Sequence, residues 1–237
     1  MWKTDIRNTI LYEDQEIIVC HKPAGLAVQN ARIGMMDMES AMKNYLAEKN
    51  PKEMPYLGII SRLDQPVEGI LVFARSGRSA AELNRQMGKK EIEKIYLAVS
   101  DREPAQKEAE LEDYLKKDGR NNTSAVTPPG TKGAKKARLS YRVLETLPDQ
   151  RTDTGIRCLI QVRLDTGRHH QIRVQLSHAG VPLLGDKKYY PQDRSGFSLG
   201  LCAVKLGFRH PDSGEKMEFQ TTPRGKAFEG FNIEKNC

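Results

Sequence analysis

Every residue of the run Gly69-Ile70-Leu71-Val72-Phe73-Ala74 is apolar. A strand with one wet face alternates apolar and polar side chains, whereas a strand apolar at every position is covered on both sides. The chain must therefore wrap this run inside a layered core, and 237 residues suffice to do so. Strands outnumber helices along the rest of the sequence, and several are joined by short turns. This pattern predicts an α+β fold on a mixed, mostly antiparallel sheet with flanking helices.

Local signals fill in the elements. "ILYEDQEIIVC", residues 10–20, reads as two strands about a polar turn at Glu13-Asp14-Gln15-Glu16. Pro23 and Gly25 stop the second strand. Residues 30–50 read as a loop and one helix, with Met38, Ala41, Met42, Tyr45 and Leu46 at helical spacing. Ser76 caps a helix that buries Ala80, Leu83 and Met87 and stops near Gly88. In "EIEKIYLAVS" alternation puts Ile95, Leu97 and Val99 on one face and Lys94 and Tyr96 on the other.

Residues 116–136 carry Asn121-Asn122, Pro128-Pro129, Gly130 and Gly133, a composition that predicts a flexible basic loop. Strands return at 137–147 and 156–165. A short helix follows with Ile172, Leu176 and Ala179 as its buried stripe, ended by Gly180 and Pro182. "GFRHPDSGEKMEF" reads as a hairpin turning at Pro211-Asp212-Ser213-Gly214. With no internal repeat and no second core after a linker, residues 1–237 are expected to form a single domain.

The formal charge is +7 and the pI about 9.2, a balance that favours a polyanionic partner such as nucleic acid. Lys116, Lys117, Arg120, Lys132, Lys135, Lys136 and Arg138 stand against the lone Asp118 in one stretch, which reads either as a solvated arm or as a phosphate contact. No apolar run approaches the roughly 20 residues that span a bilayer. The N-terminal residues lack a signal-peptide pattern, so a cytoplasmic location is expected. Cys20, Cys158, Cys202 and Cys237 are too far apart for a metal knuckle or redox pair and read as free thiols. His170 and His178, about 12 Å apart along a helix, cannot share an ion without distant partners, so no metal is expected.

Three stretches hold reactive groups: Arg62 with Asp64, Lys94 with Tyr96, and Arg168 to Arg173. An Asp held by an arginine stays ionised at neutral pH, because the opposite charge lowers its pKa. Shielded from water, such a carboxylate serves as a nucleophile or stabilises an oxocarbenium-like centre. Sugar hydrolases need a second carboxylate to activate water, and Glu68 is the nearby candidate. Without that partner the natural reaction is glycosidic exchange within one bound substrate.

These motifs, in this order, resemble the RluA-type RNA pseudouridine synthases. The similarity runs from residue 10 to about residue 223 through Arg62-Leu63-Asp64 with "GILVFARS", Lys94-Ile95-Tyr96, and "TGRHHQIRVQLSHAGVPLLGD" at 166–186. The resemblance implies the pseudouridine synthase fold, with a bifurcated sheet and a central RNA-binding cleft. It implies isomerisation of a uridine in ribosomal or transfer RNA to its C5-linked form, with no cofactor. Asp64 matches the essential aspartate, Tyr96 the aromatic that stacks on the target base, and Arg173 the basic residue that pairs with the aspartate. Arg62 matches an arginine near the flipped nucleotide, and Leu183 or Leu184 the apolar wall of the pocket. Lys94, Arg168, His170 and Gln171 fall in the same motifs and are expected to contact substrate.

The chain departs from the family at Ser61, where histidine is usual, and at Val67-Glu68, where Thr-Ser is usual. Glu68 is expected to add negative charge near the cleft. Only about nine residues precede the first strand, so the small N-terminal RNA-binding domain of many relatives is expected to be absent. A monomer is expected, since no extended apolar face is evident. The competing readings are a catalytically silent RNA-binding module that kept the cleft, and a nucleoside hydrolase using Asp64 with Glu68.

Overall fold

The computed structural model describes residues 5–30 and 35–233. In chain order the elements are β1 (Ile10–Glu13), β2 (Ile17–Lys22), α1 (Met38–Lys49), β3 (Gly58–Ile59), β4 (Glu68–Ala74), α2 (Gly77–Gly88) and β5 (Glu93–Ser100). There follow β6 (Glu108–Asp118), β7 (Thr123–Thr127), β8 (Lys135–Pro148), β9 (Ile156–Leu164), α3 (Gln171–His178), β10 (Leu201–Arg209) and β11 (Lys216–Gln220). The chain divides into two compact units: residues through Lys94 with Ala203–Thr221, and Ile95–Cys202 with the segment from Thr222.

In the first unit β1 pairs antiparallel with β2, and β2 with β4 in the register Ile17↔Ala74 to Lys22↔Gly69. The β1–β2 turn is closed by Asp14, whose Oδ1 accepts from the backbone N–H of Glu16 and Ile17, both at 2.8 Å. All seven residues of β4 are buried, as its sequence demands. Ile70 and Val72 pack with Ile17, Val19, Leu206 and Phe208, and α2 covers that cluster with Ala80 and Leu83. Ser76 caps α2 by accepting from Ser79 N–H, and Asp37 caps α1 in the same way through Ser40. At Gly69, φ is +125° and a Cβ would lie 2.3 Å from the carbonyl oxygen of Ala203, so β4 passes against β10 where only glycine fits. β10 and β11 form the antiparallel hairpin whose turn the sequence marks.

In the second unit the strand order is β5-β9-β8-β6-β7, with β6–β7, β6–β8, β8–β9 and β5–β9 antiparallel. The segment read as a loop at 116–136 is not one. Lys116, Lys117 and Asp118 extend β6, and Thr-Ser-Ala-Val-Thr, rich in β-branched residues, forms β7 against them. Asn121 and Asn122 turn the hairpin, Asn122 taking φ +50°, and Pro128 to Ala134 make the second turn. α3 buries Gln171 through Leu176 on all sides rather than along a stripe. It ends at His178, which leaves Ala179 exposed, and Gly180 at φ +80° completes the stop. Cys20, Cys158 and Cys202 are buried free thiols, and Cys237 lies outside the described residues.

Candidate active site

The motif residues fall in both units. In the first, the backbone carbonyl of Asp64 accepts from Val67 N–H at 3.0 Å, closing a tight turn directly before β4. Leu63 points into the core, Asp64 is half-buried and Arg62 is exposed. Arg62 makes no ion pair among the described residues, so the local pairing that the sequence spacing suggests is not formed.

What holds the Asp64 turn is a residue the motif reading passed over. Lys22, at the end of β2, is fully buried. Its ammonium donates to the carbonyls of Pro23 (2.9 Å), Leu26 (2.7 Å) and Gln65 (3.1 Å). Gly25 N–H also donates to the Gln65 carbonyl, and the Gln65 amide returns a bond to the Gly25 carbonyl. The "HKPAG" segment and the turn bearing Asp64 are thus one hydrogen-bonded block around a buried cation. A lysine before Pro-Ala-Gly is visible in the sequence, but the partner that ties it to the Asp64 turn lies 43 residues away.

Glu68 does not face solvent. It is buried beside His21, with Oε2 3.7 Å from Nε2, and His21 in turn meets Thr221 Oγ1 at 3.0 Å through Nδ1. The departure from the family at this position therefore places a carboxylate inside the protein, beside a histidine. Lys94 is also largely enclosed. Its Nζ donates to Met87 Sδ at 2.8 Å, and burial pushes its pKa down to about 8.

In the second unit Tyr96 lies on β5 opposite Val162 of β9 and is buried, so its side of the strand is no solvated sheet face. Arg173 is buried on α3. Its Nε and Nη2 donate to Asp186 Oδ2 (2.8 Å) and Oδ1 (2.7 Å), a bidentate fork that fixes the guanidinium plane. Asp186 Oδ1 also accepts the backbone N–H groups of Lys188 and Tyr189. The Tyr189 ring lies 5.1 Å from the Arg173 guanidinium carbon. Asp186 is the last letter of the long motif and is the second residue that sequence reading missed.

The other motif residues of this unit brace the same helix. Gln171 is buried, its Oε1 accepting from Thr166 Oγ1 and Arg168 N–H and its amide donating to the Arg138 carbonyl. Its amide thus serves the turn before α3. Arg168 is exposed and donates through Nε to the Lys136 carbonyl. His170 takes φ +55° at the N-cap, stacks on His169 at 3.8 Å and meets Tyr189 Oη at 2.7 Å through Nδ1. Burial first, then the positive charges of Arg173, His169, Lys188 and Lys117, push its pKa down to about 2. Leu183 is buried and bridges to Ser100 at the end of β5. Among the described residues no three His, Cys, Asp or Glu side chains converge to hold a metal ion, and no helix is long and apolar enough to cross a membrane.

This architecture is the pseudouridine synthase fold. The chain superposes on the structure of human RNA Pseudouridylate Synthase Domain Containing 4 with a TM-score of 0.75 and 20% identity, covering 92% of this chain and 90% of that one. Human RNA Pseudouridylate Synthase Domain Containing 1 gives a TM-score of 0.72 at 21% identity, covering 94% and 86%. The family model described as RNA pseudouridylate synthase matches residues 16–178. The chain belongs to that family, whose members are isomerases that convert uridine in RNA to pseudouridine. It is 30% identical to an uncharacterized RNA pseudouridine synthase, YlyB, of Bacillus subtilis over 96% of this chain and 73% of that protein. It is 35% identical to Ribosomal large subunit pseudouridine synthase D of Vibrio parahaemolyticus over 91% of this chain and 67% of that protein.

Proposed function

We propose that this protein isomerises a uridine of ribosomal RNA, with Asp64 as the group that acts on the target nucleotide. The observation that carries the reading is the Asp64 turn: a half-buried carboxylate before a wholly buried strand, held from behind by the Lys22 ammonium. Such a block fixes the backbone that carries the carboxylate. The choice of ribosomal over transfer RNA follows the named large-subunit relatives.

In this reading Tyr96 stacks on the freed uracil, and Arg173, set by Asp186, supplies fixed positive charge. Arg62 and Arg168, both exposed, contact phosphates, while Lys94, His170, Gln171 and Leu183 shape the surroundings of the nucleotide. The bond from C1′ to N1 breaks, the retained uracil turns, a bond from C1′ to C5 forms, the C5 proton leaves to solvent, and the freed N1 takes up a proton from solvent to become N1–H. Atoms balance without an activated water, so one carboxylate suffices. We take the protein to act as a cytoplasmic monomer.

The test uses large-subunit ribosomal RNA and transfer RNA, each carrying tritium at C5 of uridine. The wild type is expected to release tritium from the ribosomal RNA, and Asp64→Asn to release none while binding the RNA as before. Residual turnover by Asp64→Asn would remove it from the reaction. Tight binding by the wild type without release would favour the silent binding module.

A further inference from the structure

The β6–β7 hairpin has two unlike faces. Inward, Leu115 packs with Ala137 and Val174 of α3, and Ser124 is buried. Outward, the register sets Tyr114 opposite Thr127 and Lys116 opposite Ala125. This outer face carries an open depression of about 520 Å³ lined by Lys116, Arg120, Ala125 and Thr127, and Lys117, set opposite Ser124, also borders it.

Two cations of the neighbouring strand β8 are neutralised by carboxylates of β6. Lys136 pairs with Glu112 and Arg138 with Glu110. Lys116, Lys117 and Arg120 have no ion pair among the described residues. The one carboxylate of the depression, Asp118, is committed to the turn. It accepts from Arg120 N–H (2.9 Å), Asn121 N–H (3.4 Å) and the Asn121 amide (2.7 Å), bonds that hold its pKa below the usual range.

The tip is also fixed in place. Asn122 Oδ1 meets His169 Nε2 at 3.0 Å, and the Asn122 carbonyl accepts from Lys188 Nζ. Ser124 N–H donates to Tyr189 Oη at 2.8 Å. Three unneutralised cations are therefore presented on a seated scaffold, beside a small-residue floor and an aromatic.

We propose that this face binds a nucleotide of the RNA strand outside the target position. Its phosphates lie on Lys116, Lys117 and Arg120, and its ribose and base lie over Ala125, Thr127 and Tyr114. The proposal rests on the reading that the chain acts on RNA. An acidic peptide would satisfy the cations but would leave the flat floor and Tyr114 unused, whereas a nucleotide uses both.

The test is the salt dependence of binding to a uridine-containing stem-loop of large-subunit ribosomal RNA. The triple variant Lys116→Gln, Lys117→Gln, Arg120→Gln is compared with wild type and with Lys89→Gln, Lys90→Gln, exposed cations just past the end of α2. All three hairpin side chains are exposed, so the triple variant should melt with the wild type. The triple variant is expected to flatten the slope of log K against log salt by about 2, and the α2 variant to leave it unchanged. Tyr114→Ala should weaken binding about tenfold with the slope retained. A wild-type slope and affinity in the triple variant would overturn the proposal, and would leave an acidic protein as the occupant to seek. Hairpin-dependent binding without tritium release would keep this site while refuting the proposed reaction. Absence of RNA binding by the wild type would refute both.

Discussion

The ammonium of Lys22 is the most consequential side chain outside the motifs. It is buried with carbonyl oxygens of Pro23, Leu26 and Gln65 around it. Lys22→Met retains the length of the stem but takes the donor from the Pro23 and Leu26 carbonyls, while the Gln65 carbonyl keeps the N–H of Gly25. Each such loss costs about 1–3 kcal/mol. The variant is expected to lower the melting temperature by at least several degrees and to cut single-turnover tritium release far more than RNA affinity. Equal activity in the variant would show that the Asp64 turn holds its shape unaided. Arginine should not rescue, since its planar fork does not match three carbonyls arranged around a point.

At the scale of elements, α3 carries a pH signature. His170 sits at its N-cap with a pKa near 2, against about 6.5 in an unfolded chain. Between those values the unfolded state holds a proton that the folded state does not. Stability is therefore full above about pH 6.5 and falls as the pH drops below it. His170→Asn accepts the left-handed backbone and cannot titrate. Its melting temperature is expected to fall less than that of the wild type between about pH 7 and pH 5. Parallel curves would assign the acid limb to other groups.

Elements closed by neighbours in sequence were legible: the Asp14 turn, the Ser76 cap and the β10–β11 hairpin each need only residues a few positions apart. Those set by distant partners were not. Composition alone made 116–136 a loop, because glycines, prolines and asparagines mark turns without showing that a five-residue strand lies between them. The roles of Lys22 and Asp186 were hidden because each is defined by partners outside its own turn or helix. Glu68 read as a charge near the cleft, since nothing local shows that β4 carries it inside beside His21.

For the molecule as a whole, the decisive fact is that the first unit is discontinuous: it needs residues 203–221 as well as those through Lys94. Gly69 at the head of β4 packs on the backbone of Ala203. A chain ended at Cys202 is thus expected to leave β4 open on that side, and to be cut by protease within 68–74 under conditions where the full protein resists. Equal resistance would mean that the first unit closes without its late strand. During synthesis, at roughly 5–20 residues per second, the strand that follows Asp64 emerges on the order of ten seconds before β10 exists to cover it. Throughout that interval the nascent chain exposes the apolar run of β4, so its yield in a cell should depend on chaperone supply and translation speed more than the stability of the finished protein suggests.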